Sequence, residues 1–339
     1  MLDQQEKLWD YDAVEPGQTG PTTEVKITED NIAQYALLAQ NPDPRFQRPG
    51  VSLEYDGAML AMPTMVITYA PLLREDIAEA NGFVAQERSA TNRSQTPFAK
   101  CEIRWWGPVK AGDTITGSRR VLEKYDRRGS KFVTFRVEAA NQHGEKVAEY
   151  DYTCIFGYAQ GSKTVPQTPG SAQPQPLTGN PGGQELALAS SAIVSFDALS
   201  EGTQLATMSV SESQEIINRK SDFRLSGAPN PINIHNNEEF ARKNIFSGTV
   251  SSGPAAMSYL DQMLQKSFPL SAFYQGGQLL MRAIEPFRAG DTVTFQGEVT
   301  AKNAGSAGSA GRIVECRIKG INQRGDLVNL SDAKLMLSE

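Results

Sequence analysis

The sequence predicts an α+β protein made of two copies of one unit, each with helices first and an antiparallel sheet after them. Three observations carry this. The chain has 339 residues, which suits two units of about 150, the usual size of one hydrophobic core. A segment without apolar periodicity cuts it nearly in half. The text before that cut returns after it, in the same order and at nearly constant spacing, which is the mark of an internal repeat.

The echo is clearest toward the end of each half. Val109-Lys-Ala-Gly-Asp-Thr-Ile-Thr116 is matched by Phe287-Arg-Ala-Gly-Asp-Thr-Val-Thr294, and Asn141-Gln-His-Gly-Glu145 by Asn322-Gln-Arg-Gly-Asp326. The offset is 178 for the first pair (109 to 287) and 181 for the second (141 to 322), with the insertion placed in GSAGSAG. AGDT reads as a turn opening a β-branched, alternating strand, with Asp113 and Asp291 as turn-capping residues. NQHG and NQRG read as hairpin turns in which Asn and Gly tolerate positive φ.

Helical signals precede the strands. Thr28 caps EDNIAQYALLAQ, whose apolar residues Ile32, Tyr35, Ala36 and Ala39 recur at helical spacing. In the second half Glu238–Lys243 reads as a short helix. Gly253-Pro254-Ala-Ala-Met-Ser-Tyr-Leu-Asp-Gln-Met-Leu follows as a long apolar helix with proline in its first turn. Its counterpart starts near Pro63 and must end or kink at Pro71. Trp105 and Trp106, adjacent on a strand, face opposite sides, one toward the core. The cut is Gln160 to Gln184, crowded with Pro, Gly, Ser and Gln and read as a solvated linker. Halves 1–159 and 185–339 flank it.

Composition narrows the function. A net charge of −6 and a pI near 5.3 give no basic footprint for nucleic acid. The amino-terminal stretch lacks a secretory pattern, and no run of about 18 apolar residues spans a bilayer, so a cytoplasmic protein without a membrane partner is expected. Cys101, Cys154 and Cys316 are odd in number, far apart and unpaired by motif, so buried strand positions are expected rather than disulfides or a structural zinc site. Two histidines, His143 and His235, must carry any imidazole chemistry, and His143 falls in a hairpin turn. No GxGxxG or GxxxxGK[ST] loop occurs.

The stretch Ser226–Pro254, SGAPNPINIHNNEEFARKNIFSGTVSSGP, resembles the signature of the MaoC-like (R)-specific enoyl-CoA hydratases, roughly SGDxNPLHxDPxFA followed by PIxHG. The resemblance covers the second half and, more weakly, the first. It implies a double hotdog, two tandem curved antiparallel sheets each wrapped around a central helix. It implies an acyl-thioester hydratase or dehydratase acting on a CoA or acyl-carrier-protein thioester without metal or organic cofactor. A homodimer, or a hetero-oligomer with another hotdog chain, would fit such a fold. In that family an Asp and a His hold a water, and the helix amino end supplies an N–H to the enolate oxygen. That division of labour is chemically sound, since conjugate addition needs a base, an acid and oxyanion stabilisation.

Two residues are inserted here relative to the family spacing. Anchoring on Phe240-Ala241 puts His235 on the catalytic His and Asn230 on the Asp. Anchoring on Asn230-Pro231 puts Asn233 and Ala228 there. The first is preferred because it keeps the half's only histidine in place. Either way the carboxylate is absent, and Asn230 can position a water but not deprotonate it. Asp222, Glu238 and Glu239 are the alternative carboxylates. The HG histidine is replaced by Ser252, while Gly253 keeps the N–H. The expected site is therefore His235, Asn230 and Gly253 for catalysis, with Ser252 and Asn233 against substrate. The first half has Met62-Pro63-Thr64 at its helix entrance and no histidine in the matching loop, as in silent halves that make room for a bulky acyl group. Two alternatives stay open: isomerisation, cyclisation or another elimination in the same pocket, and a non-catalytic acyl-binding subunit.

Overall fold

The computed structural model describes residues 6–52, 55–158, 195–227, 232–243, 245–304 and 312–337. The linker 160–184, the GSAGSAG stretch, Ala228 and Asn230 lie outside the described residues. The first half runs β1 (Leu8–Trp9), β2 (Thr23–Lys26), α1 (Glu29–Leu38), a 3-10 turn Pro63–Met65, α2 (Val66–Tyr69) and α3 (Arg74–Ala80). It continues through β3 (Val84–Ala85), β4 (Phe98–Trp105), β5 (Thr114–Arg127), β6 (Ser130–Ala140) and β7 (Lys146–Gly157). The second runs β8 (Met208–Ser211), α4 (Gln214–Asp222), α5 (Glu238–Arg242), α6 (Gly253–Gln265), β9 (Gln278–Ala283), β10 (Thr292–Asn303), β11 (Arg312–Asn322) and β12 (Leu327–Leu337).

Ten strands form one antiparallel sheet in the order β2-β5-β6-β7-β4-β9-β12-β11-β10-β8. Read outward from the centre, each half repeats the same arrangement, so the duplication is a pseudo-twofold relation. The seam is β4 against β9, from Lys100 opposite Arg282 to Arg104 opposite Gln278. This pairing removes the edge that each half alone would expose. The core is continuous across it, from Ile32 and Ala36 of α1 to Leu260 and Met263 of α6.

The two repeated motifs turn out to be one structural device. Asp113 accepts the Lys110 N–H (2.9 Å) and Asp291 the Arg288 N–H (3.0 Å), closing the AGDT turns around Gly112 and Gly290 at positive φ. The glutamine of each NQxG hairpin then accepts the N–H of the following Thr, Gln142 from Thr114 and Gln323 from Thr292. Its amide donates back to the turn aspartate. Each hairpin is thereby tied to the turn opening its neighbouring strand.

Thr28 caps α1 in a reciprocal capping box with Asn31. Its repeat partner is α4 and not the short helix α5 at Glu238. Ile27 N–H bonds Asp113 O and Glu212 N–H bonds Asp291 O, and Thr28 and Ser213 are the caps that follow. α4 has no signal in the sequence, because QEIINRKSD buries only Ile217 and has no apolar stripe. The central helices also differ more than expected. α6 buries ten consecutive residues from Ala256 to Gln265. Its counterpart is one 3-10 turn and one α-turn, ending at Ala70 before Pro71, where the proline forbids continuation.

Trp105 is buried edge-on against Phe273, and its indole N–H holds the Pro63 carbonyl at 2.8 Å. Trp106 is exposed under the Lys146 ammonium. Cys101, Cys154 and Cys316 are free and buried in β4, β7 and β11. Among the described residues, no helix is long and apolar enough to cross a membrane.

Candidate active site

Between α4, the loop before α5, the start of α6 and the first half's α3–β4 region lie two adjoining cavities of about 320 and 680 Å³. His235, Ser252, Arg74, Gln95 and Tyr152 line both, so the histidine and the start of α6 stand where the lobes meet. The larger lobe is mostly apolar, with Phe98, Ile234, Phe246 and Met281 in its wall.

The loop holding His235 is organised by Asn233. Its Oδ1 accepts the His235 N–H (2.7 Å) and the Asn236 N–H (3.2 Å), an Asx turn, and its amide donates to Ser221 of α4 (2.9 Å). Gln214, also on α4, donates to the His235 carbonyl (2.7 Å). The imidazole Nδ1 lies 2.8 Å from the Val250 carbonyl, which can only accept, so Nδ1 carries the proton and Nε2 a lone pair. Burial pushes the imidazole below its usual pKa against the opposing Val250 bond. The neutral base is thus the resting form near pH 7. Among the described residues no carboxylate bonds the ring.

α6 begins directly beyond. Ser252 is its N-cap without a side-chain capping bond, and Gly253 is its first residue, followed by Pro254. The Gly253 N–H belongs to the first turn, where no intrahelical acceptor exists and the dipole favours negative charge. An ideal Cβ on Gly253 would lie 2.1 Å from Cδ1 of Phe98, so the ring from the other half approaches as only glycine permits. In the first half the same place is Pro63. Ala61 N–H bonds Val109 O as Ser251 N–H bonds Phe287 O, and the N-caps Met62 and Ser252 share one backbone conformation. Pro63 has no N–H, so that half lacks the donor.

The expected residues therefore separate. His235, Ser252 and Gly253 come together at the cavity wall. Asn233 is buried and occupied in shaping the loop. Asn230 lies outside the described residues. Glu238 and Glu239 are exposed and paired with Arg242 and Lys243, and Asp222 ends α4 on the surface, so none meets His235. His143 is exposed in its hairpin.

What the sequence did not reveal is a buried polar group beneath α6. Glu212 Oε1 accepts from Tyr259 (2.5 Å) and Lys220 (2.7 Å), and Lys220 also bonds the Tyr259 hydroxyl, which Gln40 of the first half donates to (3.0 Å). Glu212 stands where the first half has the fully buried Ile27, so aligning the halves by their caps would have exposed it. Among the described residues no cluster of His, Cys, Asp and Glu fits a metal ion.

Residues 16–150 match the family model described as FAS1-like, dehydratase domain region. That is the first half, whereas the signature read from the sequence lies in the second. A solved MaoC-like dehydratase superposes with a TM-score of 0.67 at 16% identity, over 95% of this chain and 99% of its own. A putative MaoC domain protein dehydratase from Chloroflexus aurantiacus gives 0.65 at 15%, with 98% of each chain covered. A Mycobacterium tuberculosis protein described as a double hotdog gives 0.55 at 12%, over 96% and 98%. At these identities the likeness to solved structures is one of fold. No curated protein matches the sequence. The chain has the double hotdog fold, and its first half matches a model of a FAS1-like dehydratase region.

Proposed function

We propose that, on the double hotdog scaffold of the MaoC-like dehydratases, this chain interconverts a 3-hydroxyacyl thioester and its 2-enoyl thioester, carried on CoA or an acyl carrier protein. The observation that carries the reading is that a neutral imidazole and the amino end of α6 line the same cavity. In the elimination direction His235 Nε2 takes the α-proton. The Gly253 N–H receives the charge that develops on the thioester oxygen, where a preorganised donor in a water-poor site acts most strongly. Ser252 lies against the substrate between the lobes. The apolar 680 Å³ lobe suits a sizeable acyl chain.

One observation favours a second reading. No described carboxylate reaches His235, so a one-base reaction, such as double-bond isomerisation of an acyl thioester, needs nothing further from the site. Purified protein with crotonyl-CoA and 2-decenoyl-CoA, followed at the enone absorbance and by product mass, separates them. A gain of one water that disappears in His235→Ala supports hydration. A shifted double bond at unchanged mass supports isomerisation. Traces that do not differ between wild type and His235→Ala overturn the assignment of His235.

A further inference from the structure

Elimination needs a second proton-transfer group to protonate the departing hydroxyl, and the family carboxylate is missing here. Of the groups around the cavity, Lys220 is the one held for such a task. It lines the 320 Å³ lobe together with His235 and Ser252. Its ammonium is nearly buried, with 9% of the side chain exposed, and is anchored from two sides by Glu212 Oε1 and the Tyr259 hydroxyl. An ammonium has three protons, and these partners take two. Glu212 is fully buried, and its second oxygen has no partner among the described residues. A buried polar network incompletely satisfied is costly for stability alone. The first half has no equivalent: Ile27 stands in place of Glu212, and that half also lacks a histidine in its loop and an N–H at Pro63.

Resting on the hydratase–dehydratase reading, we propose that Lys220 is the second catalytic residue, the acid that protonates the leaving hydroxyl, and that Glu212 is its positioning residue. As His235 Nε2 takes the α-proton, the C2–C3 double bond forms, the C3–O bond breaks with its electron pair, and that oxygen takes a proton from Lys220 Nζ. Water leaves. The imidazolium and neutral amine left behind return to the resting state by passing one proton from the first to the second through solvent. Hydration runs the same steps in reverse. Burial lowers the Lys220 pKa, opposed by Glu212, which brings an amine toward the range where it exchanges protons readily. Besides Glu212 and Tyr259, the titratable and charged groups lining its lobe are His235, Arg93, Arg224 and the ion pairs Arg74–Glu87 and Arg88–Glu75, with the hydroxyls of Tyr35, Tyr150 and Tyr152.

The test is the initial rate of elimination from 3-hydroxybutyryl-CoA and 3-hydroxydecanoyl-CoA against pH. Wild type is expected to lose rate on the acid side as His235 protonates and on the basic side as Lys220 deprotonates. The double variant K220M/E212Q removes the charge pair together, so that neither partner is stranded, and circular dichroism confirms its fold. It should lose about 100-fold or more in kcat with little change in KM, and lose the basic limb. K220R keeps the charge but holds its proton too tightly and should stay slow. E212Q alone should move the basic limb to lower pH. A double variant within a few-fold of wild type, or full activity in K220R, overturns the assignment of Lys220 while leaving the dehydratase reading intact. Wild type inactive toward both substrates and toward crotonyl-CoA overturns that reading and this inference with it.

Discussion

Gly253→Ala is the substitution whose effect follows most directly from the geometry. The added methyl would lie 2.1, 2.6 and 2.7 Å from Cδ1, Cγ and Cε1 of Phe98. Carbon contacts settle near 3.5–4.0 Å, so the ring must retreat by roughly 1.5 Å. It is not free to do so, because it packs edge-on against Tyr152 with centroids 5.0 Å apart. Overpacking of this kind costs about 1–3 kcal/mol. Phe98→Ala alone should cost about 2 kcal/mol, less than a fully buried phenylalanine because the ring borders the cavity. In the double variant the clash has vanished. The cost of Gly253→Ala should then fall to near zero, a coupling of about 1–3 kcal/mol. Urea denaturation of the four proteins measures it. An alanine at this position retains the backbone N–H, so the rate of the proposed reaction in the double variant should return to that of Phe98→Ala. Strictly additive costs would refute the close approach across the halves, and a double variant as slow as Gly253→Ala would refute the view that the glycine serves the approach rather than the reaction.

Four further outcomes are expected. His235→Ala should lower kcat by about 10²–10⁴-fold. Because burial depresses the folded pKa below the usual 6.5, the unfolded chain binds the extra proton; stability is full above about pH 6.5 and falls as pH drops below it, a slope that His235→Gln should reduce in denaturation at pH 5–7. Asp261, which accepts from the Thr64 N–H and hydroxyl, has its pKa raised from 3.8 to about 6 by burial. The folded state here binds the extra proton, so stability should fall as pH rises from about 4 to 6, by up to about 3 kcal/mol, and Asp261→Asn should remove that loss. Asp291→Ala should cost about 2 kcal/mol and Asp113→Ala about 1, read by urea midpoint, because Asp291 also holds Arg324 at 2.6 Å and is nearly buried while Asp113 is not.

The duplication and the sheet were legible because AGDT and NQxG are local turns with fixed backbone demands. The structure adds that they are bonded to each other, which is why they recur as a pair. α6 was legible from its apolar run and its proline. α4 was not, since a helix with one buried residue has no periodicity to read. His235, Ser252 and Gly253 could be singled out as candidates because a motif orders them along one loop and helix start, and all three line one cavity. Glu212, Lys220 and Tyr259 lie on three separate elements, and Gln40 comes from the other half. Only the fold brings them to one point.

The asymmetry between the halves is what turns a repeat into a candidate site. At three equivalent places the first half has the inert choice: Ile27 where the second has Glu212, Pro63 where it has Gly253, and no histidine opposite His235. A buried isoleucine and a proline at the first helical position are the stabilising options, and a buried carboxylate and a glycine the costly ones. A protein that needed only to fold would have no reason to differ in this direction at all three. The costs concentrate around one cavity wall, so the second half is where chemistry is to be sought. The first half contributes the Phe98 ring, Gln40 and the far side of the cavity.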